Sequence, residues 1–248
     1  MLKKQEEIVY DYIIAGSGCA GLSLLYRLIN EPILKNKKIL VIDKEAKTTN
    51  DRTWCFWETG EGLFENIVAH QWKNLEFKTS SFAKTFHLNQ YSYKMIKGLD
   101  FYKLILNTAK DFKNVTFKFE NIEKIEADSN YAKIKTEKGN YLAEFIFNST
   151  PIFNPKMDSS NSLLQHFEGW VIRTNKATFN SEIGTLMDFS LSQKHGTTFM
   201  YVLPTSAHEA LIEYTLFTEK LLDKKEYKVE LERYIKEDLK IDDYEILH

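Results

Sequence analysis

A glutamate set in an apolar run is the first group in this sequence equipped to do chemistry. Ala210-Leu-Ile-Glu-Tyr-Thr-Leu-Phe217 has the composition of a β-strand, and the alternation of side chains places Glu213 on one face with Leu211, Thr215 and Phe217. Burial on such a face favours the neutral carboxyl and raises its pKa toward the range a general acid needs near neutral pH. The competing reading is an edge or surface strand position with an ordinary pKa, the commoner place for a glutamate.

A second constellation lies near the N-terminus. Ile8 to Ala15 is a β-branched apolar run, Gly16, Gly18 and Gly21 follow as G-x-G-x-x-G, and Leu22, Leu25, Leu28 and Ile29 then recur at helical spacing. In a strand–turn–helix of this kind the first glycine permits the turn, the second admits a pyrophosphate, and the third packs helix on strand. The helix N-terminus then faces an anion. Lys38-Ile-Leu-Val-Ile-Asp43 reads as the next strand, and its closing Asp43 is placed to accept ribose hydroxyls. An adenine dinucleotide is the expected ligand.

Asp51-Arg-Thr-Trp-Cys-Phe-Trp-Glu58 comes soon after, at the end of the sheet where ligands gather. Trp54, Phe56 and Trp57 are suited either to line an apolar cavity or to plug the core, while Asp51, Arg52 and Glu58 hold the loop. Trp170, in Gln165-His-Phe-Glu-Gly-Trp-Val-Ile-Arg173, carries the same two readings, contact with a long apolar ligand or core packing. Asp188 suits a turn cap. His166, His195 and His208 have neither metal-ligand spacing nor a nucleophile pattern beside them, and read as structural or surface.

The elements that must position these residues form a mixed α/β pattern. Short strands are expected between Leu75 and Ile96, broken at Ser80-Ser81, followed by a helix over 98–112. Four strand-like runs (115–119, 122–127, 131–136 and 141–148), with turns such as Asp128-Ser-Asn130, read as a β-meander. Phe145-Ile-Phe-Asn-Ser-Thr150 returns the chain to the parallel sheet, as in FAD proteins with a split nucleotide domain. Four more strands lie between Leu163 and Phe217, and Glu226 to Leu239 reads as a charged amphipathic helix. The expected organisation is a discontinuous FAD/NAD(P)-binding domain (1–75 and 98–155), an antiparallel-sheet substrate domain (76–97 and 156–225), and a C-terminal helix (226–248).

Composition narrows the function classes. With 248 residues, 43% hydrophobic and 27% charged, the chain is long enough for one composite core or two small ones. A net charge of −2 gives no basic field for nucleic acid. Only Arg27, Arg52, Arg173 and Arg233 are arginine among 33 basic residues, which singles out Arg52 and Arg173. The two cysteines, Cys19 and Cys55, read as reduced buried thiols. No run is long enough to span a bilayer, and MLKKQEE precedes a strand rather than a signal-peptide core. The expectation is a cytoplasmic chain, or one that lies on a membrane without crossing it.

Taken together, GSGCAG, DRTWCFWE, QHFEGWVIRT, Met187-Asp-Phe189, FMYVLPTS at Phe199 and LIEYT at Leu211 resemble, in order and spacing, the flavoprotein lycopene cyclases that make β-carotene. The resemblance implies a Rossmann-like FAD/NAD(P)-binding fold of the split glutathione-reductase type with an antiparallel β substrate layer. It implies redox-neutral, acid-catalysed cyclisation of the ψ-ends of lycopene to β-ionone rings, with FAD kept reduced by NADPH or NADH. Glu213 falls on the family's essential acid. Gly16, Gly18, Gly21, Asp43 and Arg52 fall to the cofactor, and Trp54, Phe56, Trp57 and Trp170 to the wall of an apolar substrate tunnel. Peripheral membrane contact follows from a lipid-borne substrate. Two departures stand out. Asn148-Ser149 replaces the family's aspartate, small residue and arginine, and relatives continue past the position of His248, so a missing C-terminal portion is expected. A related prenyl reductase or monooxygenase, and a non-catalytic nucleotide- or lipid-binding fragment, are the other readings.

Overall fold

The computed structural model describes residues 9–128, 131–152 and 161–247. The N-terminal MLKKQEE, the Ser129-Asn130 part of one turn, and the boundary at 155/156 lie outside them. Along the chain, β1 (Val9–Ala15), α1 (Cys19–Asn30) and β2 (Ile39–Asp43) precede β3 (Thr53–Thr59), β4 (Val68–Trp72), β5 (Asn74–Thr79), β6 (Phe82–His87) and β7 (Tyr91–Lys97). Then come α2 (Gly98–Ala109), β8 (Val115–Phe119), β9 (Ile122–Ala127), β10 (Ala132–Thr136) and β11 (Asn140–Asn148). The remainder comprises β12 (Leu164–Thr174), β13 (Ile183–Asp188), β14 (Thr197–Pro204), β15 (Glu209–Thr218), α3 (Lys224–Arg233) and β16 (Tyr244–Ile246).

The chain divides into two compact units, Met1–Trp54 with Ile96–Pro155, and Cys55–Met95 with Lys156–His248. Residues 55–75, expected with the nucleotide-binding part, fall in the second unit, because β5 pairs with β13 and the Trp72 indole donates to the Pro204 carbonyl at 3.0 Å.

The first unit is a six-stranded sheet in the order β8-β2-β1-β11-β10-β9. Every residue of β2 is buried, as a parallel strand covered on both faces requires. On α1 the helical repeat brings Leu22, Leu25, Leu28 and Ile29 inward, and all four are buried. β11 returns parallel to β1, with Ile13 opposite Ile146. One expectation is corrected here: Val115–Phe119 is not part of the meander. It pairs parallel with β2, Ile39 opposite Val115, so only β9, β10 and β11 form the antiparallel return. A strand that follows a helix from an adjacent parallel strand completes a crossover unit, which periodicity within the strand does not reveal.

The second unit carries a seven-stranded sheet, β16-β12-β15-β14-β13-β5-β6, antiparallel except for β13 against β5. Ser80-Ser81, a weak point in the sequence pattern, is the tip between β5 and β6. One face packs Trp170, Ile212, Tyr214 and Leu216 against Tyr227, Leu231 and Tyr234. The opposite face carries Leu75, Leu203, Leu211 and Tyr201, packed with Trp72, Tyr93, Met95 and Cys55. The charged amphipathic helix expected over 226–239 is present: Asp223 and Glu226 form a capping box that starts α3 at Lys224, and a wider helical turn over Tyr234–Asp238 carries it to its end, so the rest of the described part of 226–248 is not helical. The chain then adds β16 to the sheet edge beside β12.

Candidate active site

In the first unit the glycines shape a cavity of about 550 Å³, lined among others by Gly16, Gly18, Asp43, Arg52, Trp54 and Ser149. Gly16 has φ of +97°, and a Cβ there would stand 2.6 Å from the Ser149 hydroxyl. At Gly21 a Cβ would stand 1.9 Å from the Gly16 carbonyl oxygen, so helix and turn touch backbone to backbone. Gly18 differs, since nothing lies within 4 Å of a Cβ built there. Gly18 is also the N-cap of α1 and supplies no side-chain cap, leaving first-turn amides to face the opening.

Asp43 is buried at the end of β2. Its Oδ2 accepts from the Ser17 amide at 2.6 Å and from the Ser17 hydroxyl at 2.9 Å. Burial pushes this carboxyl up, but the two Ser17 bonds, with Lys47 beside it, outweigh that and hold its pKa below the ordinary value. An ionised carboxylate keeps further acceptor lone pairs for ribose hydroxyls. The open glycine cradle, the uncapped amides and this acid together fit an adenine dinucleotide such as FAD.

DRTWCFWE opens in this cavity. The Gly98 amide donates to the Arg52 carbonyl at 2.7 Å, Asn50 Oδ1 accepts from the Leu99 amide at 3.2 Å, and the Tyr102 hydroxyl donates to Asp51 at 2.9 Å. These bonds tie the loop to the start of α2. The exposed Arg52 donates to the neighbouring Asp51 carbonyl. Trp54 lies edge-on to Phe101 and Tyr102, with ring centroids 5.3 and 5.8 Å apart, and so lines the nucleotide cavity. At the departing position Asn148 caps Thr150, and the Ser149 hydroxyl donates to the Ala15 carbonyl.

The second unit holds Glu213, on the face of β15 that alternation assigns to it. Across the ladder, Tyr201 of β14 is its partner on one side and Gly169 of β12 on the other. The Thr215 hydroxyl, itself fully buried, donates to Glu213 Oε1 at 2.9 Å. Burial raises the Glu213 pKa above that of a free glutamate, and the Thr215 bond only partly opposes it. Close enough to be felt electrostatically are Cys55, whose thiol burial pushes up to about 12, and the phenols of Tyr93 and Tyr201, also raised by burial. All three are neutral near pH 7. Among the described residues, this carboxyl meets no cation that would hold it ionised.

Other expected tunnel residues separate. Trp57 is 48% exposed and tilts against Tyr93 at 4.9 Å, and Phe56 is half-buried. Trp170 is corrected outright: it is 8% exposed on the α3 face, opposite to Glu213, where it packs with Ile212 and Leu231. Its neighbour in sequence, Gly169, is the residue on the Glu213 face. Thr215 was placed on the Glu213 face by alternation in the sequence, though not as its hydrogen-bond donor. Ser17, Tyr93 and Tyr201 were passed over as site residues, since none has a local signal that ties it to the acid it serves.

The family model described as Lycopene cyclase protein matches residues 11–248. The chain belongs to the lycopene cyclase family. No curated protein matches this lycopene cyclase family member. Among solved structures it resembles a geranylgeranyl bacteriochlorophyll reductase-like protein from Thermoplasma acidophilum, with a TM-score of 0.72 and 12% identity over 97% of this chain and 64% of that one. It also resembles a probable FAD-dependent monooxygenase from Pseudomonas aeruginosa (TM-score 0.65, 11% identity, 97% and 73%). A halogenase solved with phloroglucinol and FAD gives a TM-score of 0.65 at 11% identity, over 96% and 59%. The chain thus spans 64% of the reductase-like protein's length. At these identities the likeness establishes the fold, the FAD-binding Rossmann-like fold of flavoproteins.

Proposed function

We propose that this chain carries the acid and the nucleotide site of a lycopene β-cyclase, in which Glu213 protonates the terminal double bond of a ψ-end of lycopene. The observation that carries the reading is a desolvated carboxyl, anchored by Thr215 and free of cationic partners among its described neighbours, in a member of the lycopene cyclase family. Protonation of the terminal alkene forms a C–H bond from the π pair and leaves a tertiary carbocation. The next ring-forming double bond attacks that cation to close a six-membered ring, and loss of a ring proton regenerates an alkene. One proton enters, one leaves, and no electrons are transferred.

The role of this chain is to hold the proton in place on Glu213. Tyr201 and Tyr93, neutral and beside the acid, present ring quadrupoles to a passing cation. In the other unit Gly16, Gly18, Gly21 and Asp43 would hold FAD, with Arg52 and Trp54 at its cavity wall. When bound and reduced by NADPH or NADH, the flavin would supply negative charge, the kind of charge that favours a cationic intermediate. Lycopene resides in lipid, so on this reading the working protein touches a bilayer surface; no described helix is long and apolar enough to cross one.

Expression in lycopene-accumulating cells tests the assignment. Cyclic carotenoid is expected, and Glu213→Gln should reduce it at least about 100-fold, the usual worth of a positioned general acid. Undiminished product from the variant refutes the role, and stoichiometric NADPH oxidation per product would replace cyclisation with a reductase or monooxygenase reaction.

A further inference from the structure

In G-x-G-x-x-G the glycines carry the pattern, and the positions between them are open to any side chain. Ser17 stands between Gly16 and Gly18, is 3% exposed, and does not line the nucleotide cavity that both of those glycines border. A buried hydroxyl needs a partner. Ser17 Oγ donates to Asp43 Oδ2 at 2.9 Å, and the Ser17 amide donates to the same oxygen at 2.6 Å. Oδ1 has different company, a longer bond of 3.3 Å from the Glu45 amide. The Lys47 ammonium stands 3.7 Å from Oδ2, so serine and cation converge on one oxygen of the carboxylate. Each carboxylate oxygen offers about two lone pairs. Ser17 occupies those of Oδ2, and Oδ1 keeps one for a ligand of the cavity that Asp43 lines.

We infer that Ser17 is a positioning residue for the cofactor: its hydroxyl saturates Oδ2 of Asp43 and so presents Oδ1 to the ribose hydroxyls in the adenosine half of FAD. The inference rests on the proposed FAD reading of this cavity. The amide by itself would hold the carboxylate through a single bond, about which its plane could turn. A second donor on the same oxygen, from the side chain, fixes that plane, and a ligand-binding group has to be held within a few tenths of an ångström of its working geometry. Alanine in place of Ser17 frees a lone pair on Oδ2, for which Lys47 is the nearby cation, and leaves the backbone amide in position. Because Ser17 does not itself line the cavity, its hydroxyl acts through the acid alone. Its effect is therefore confined to what the acid binds, the ribose diol, and spares the pyrophosphate and the adenine.

The test compares two probes, ADP and 2′,3′-dideoxy-ADP, which share adenine and pyrophosphate and differ in the ribose hydroxyls. Binding of each is measured by calorimetry on the purified wild-type chain, Ser17→Ala, Asp43→Asn and the double variant. Ser17→Ala should weaken ADP about tenfold, the scale of a hydrogen bond to a charged group, and dideoxy-ADP by less than about twofold. In the Asp43→Asn background the serine substitution should change ADP binding by less than about twofold, because the two residues act as one unit. Equal weakening of both probes overturns the inference and makes the hydroxyl a support of the turn. A tenfold effect that survives in Asp43→Asn overturns it as well. ADP binding that Ser17→Ala leaves unchanged removes the inference and leaves the dinucleotide reading standing, whereas a wild-type chain that binds no ADP removes both. FAD should displace ADP at a lower concentration than NADH does; the reverse order replaces FAD as the occupant and keeps the role of Ser17. Should the alanine variant fail to fold, Ser17→Gly, which lacks the same hydroxyl, is read in its place.

Discussion

Glu213 is a carboxyl whose environment opposes its ionisation, and that has a consequence for stability as well as for proton delivery. Burial raises its pKa in the folded chain above the unfolded value. A group raised in this way stabilises the fold fully below its unfolded pKa and loses that contribution as pH rises through the folded pKa. Thermal unfolding of wild type and Glu213→Gln followed from pH 4 to 9 should therefore show wild type losing ground to the variant as pH rises; parallel curves would mean an unperturbed carboxyl. The face occupied by Glu213 was legible in the sequence, because a strand alternates strictly and Leu211, Thr215 and Phe217 shared its parity. Its neighbours were not. Gly169 and Tyr201 meet it only through the register of β12 and β14 on β15, and register between distant segments leaves no mark in either segment alone. Trp170 was misplaced for the same reason, one residue of register being enough to move a side chain to the other face.

Among the elements, α3 is docked by a polar chain that the sequence left as a merely structural histidine. Thr218 donates its hydroxyl proton to the Lys220 carbonyl, so it accepts from His166 Nε2, which lies 2.7 Å away. His166 Nδ1 is then the acceptor of the Tyr227 hydroxyl at 2.7 Å, and that oxygen accepts from the Leu222 amide. Every proton has one place, and all of them require neutral imidazole. Burial lowers the His166 pKa, so the stability it contributes is present above the unfolded value and is lost as pH falls through the folded one. Tyr227→Phe should cost about 1–3 kcal/mol by leaving buried Nδ1 without a donor. Chemical denaturation at pH 7.5 and pH 5.5 should show the wild type weakening on acidification; equal stability of wild type and variant at the higher pH would dismiss the chain as a determinant. Helices and most strand spans were readable from periodicity. The placement of β8 beside β2 was not, because a crossover is a property of connections rather than of a strand.

At the scale of the whole chain, two units each carry one half of the proposed chemistry: a glycine cradle with its acid in one, a desolvated carboxyl in the other. The nucleotide half was almost entirely legible, since G-x-G-x-x-G depends on contacts within one strand–turn–helix. Its three glycines have different local constraints, and this separates folding from binding. Gly21→Ala drives a methyl into the Gly16 carbonyl oxygen and should destabilise the first unit. Gly18→Leu meets no protein atom within 4 Å at Cβ, so it should leave the fold intact while occupying the space a pyrophosphate needs. Purified Gly18→Leu is thus expected to melt within about 1 °C of wild type, a shift far smaller than that of a typical 1 kcal/mol change. Yet it should retain at least tenfold less flavin absorbance at 450 nm after loading with FAD. The same variant should keep the raised titration of Glu213, and Glu213→Gln should keep its flavin, because each half is built from residues of its own unit. Undiminished flavin in folded Gly18→Leu would place the dinucleotide elsewhere, and the glycine turn would then be a tight turn and no more.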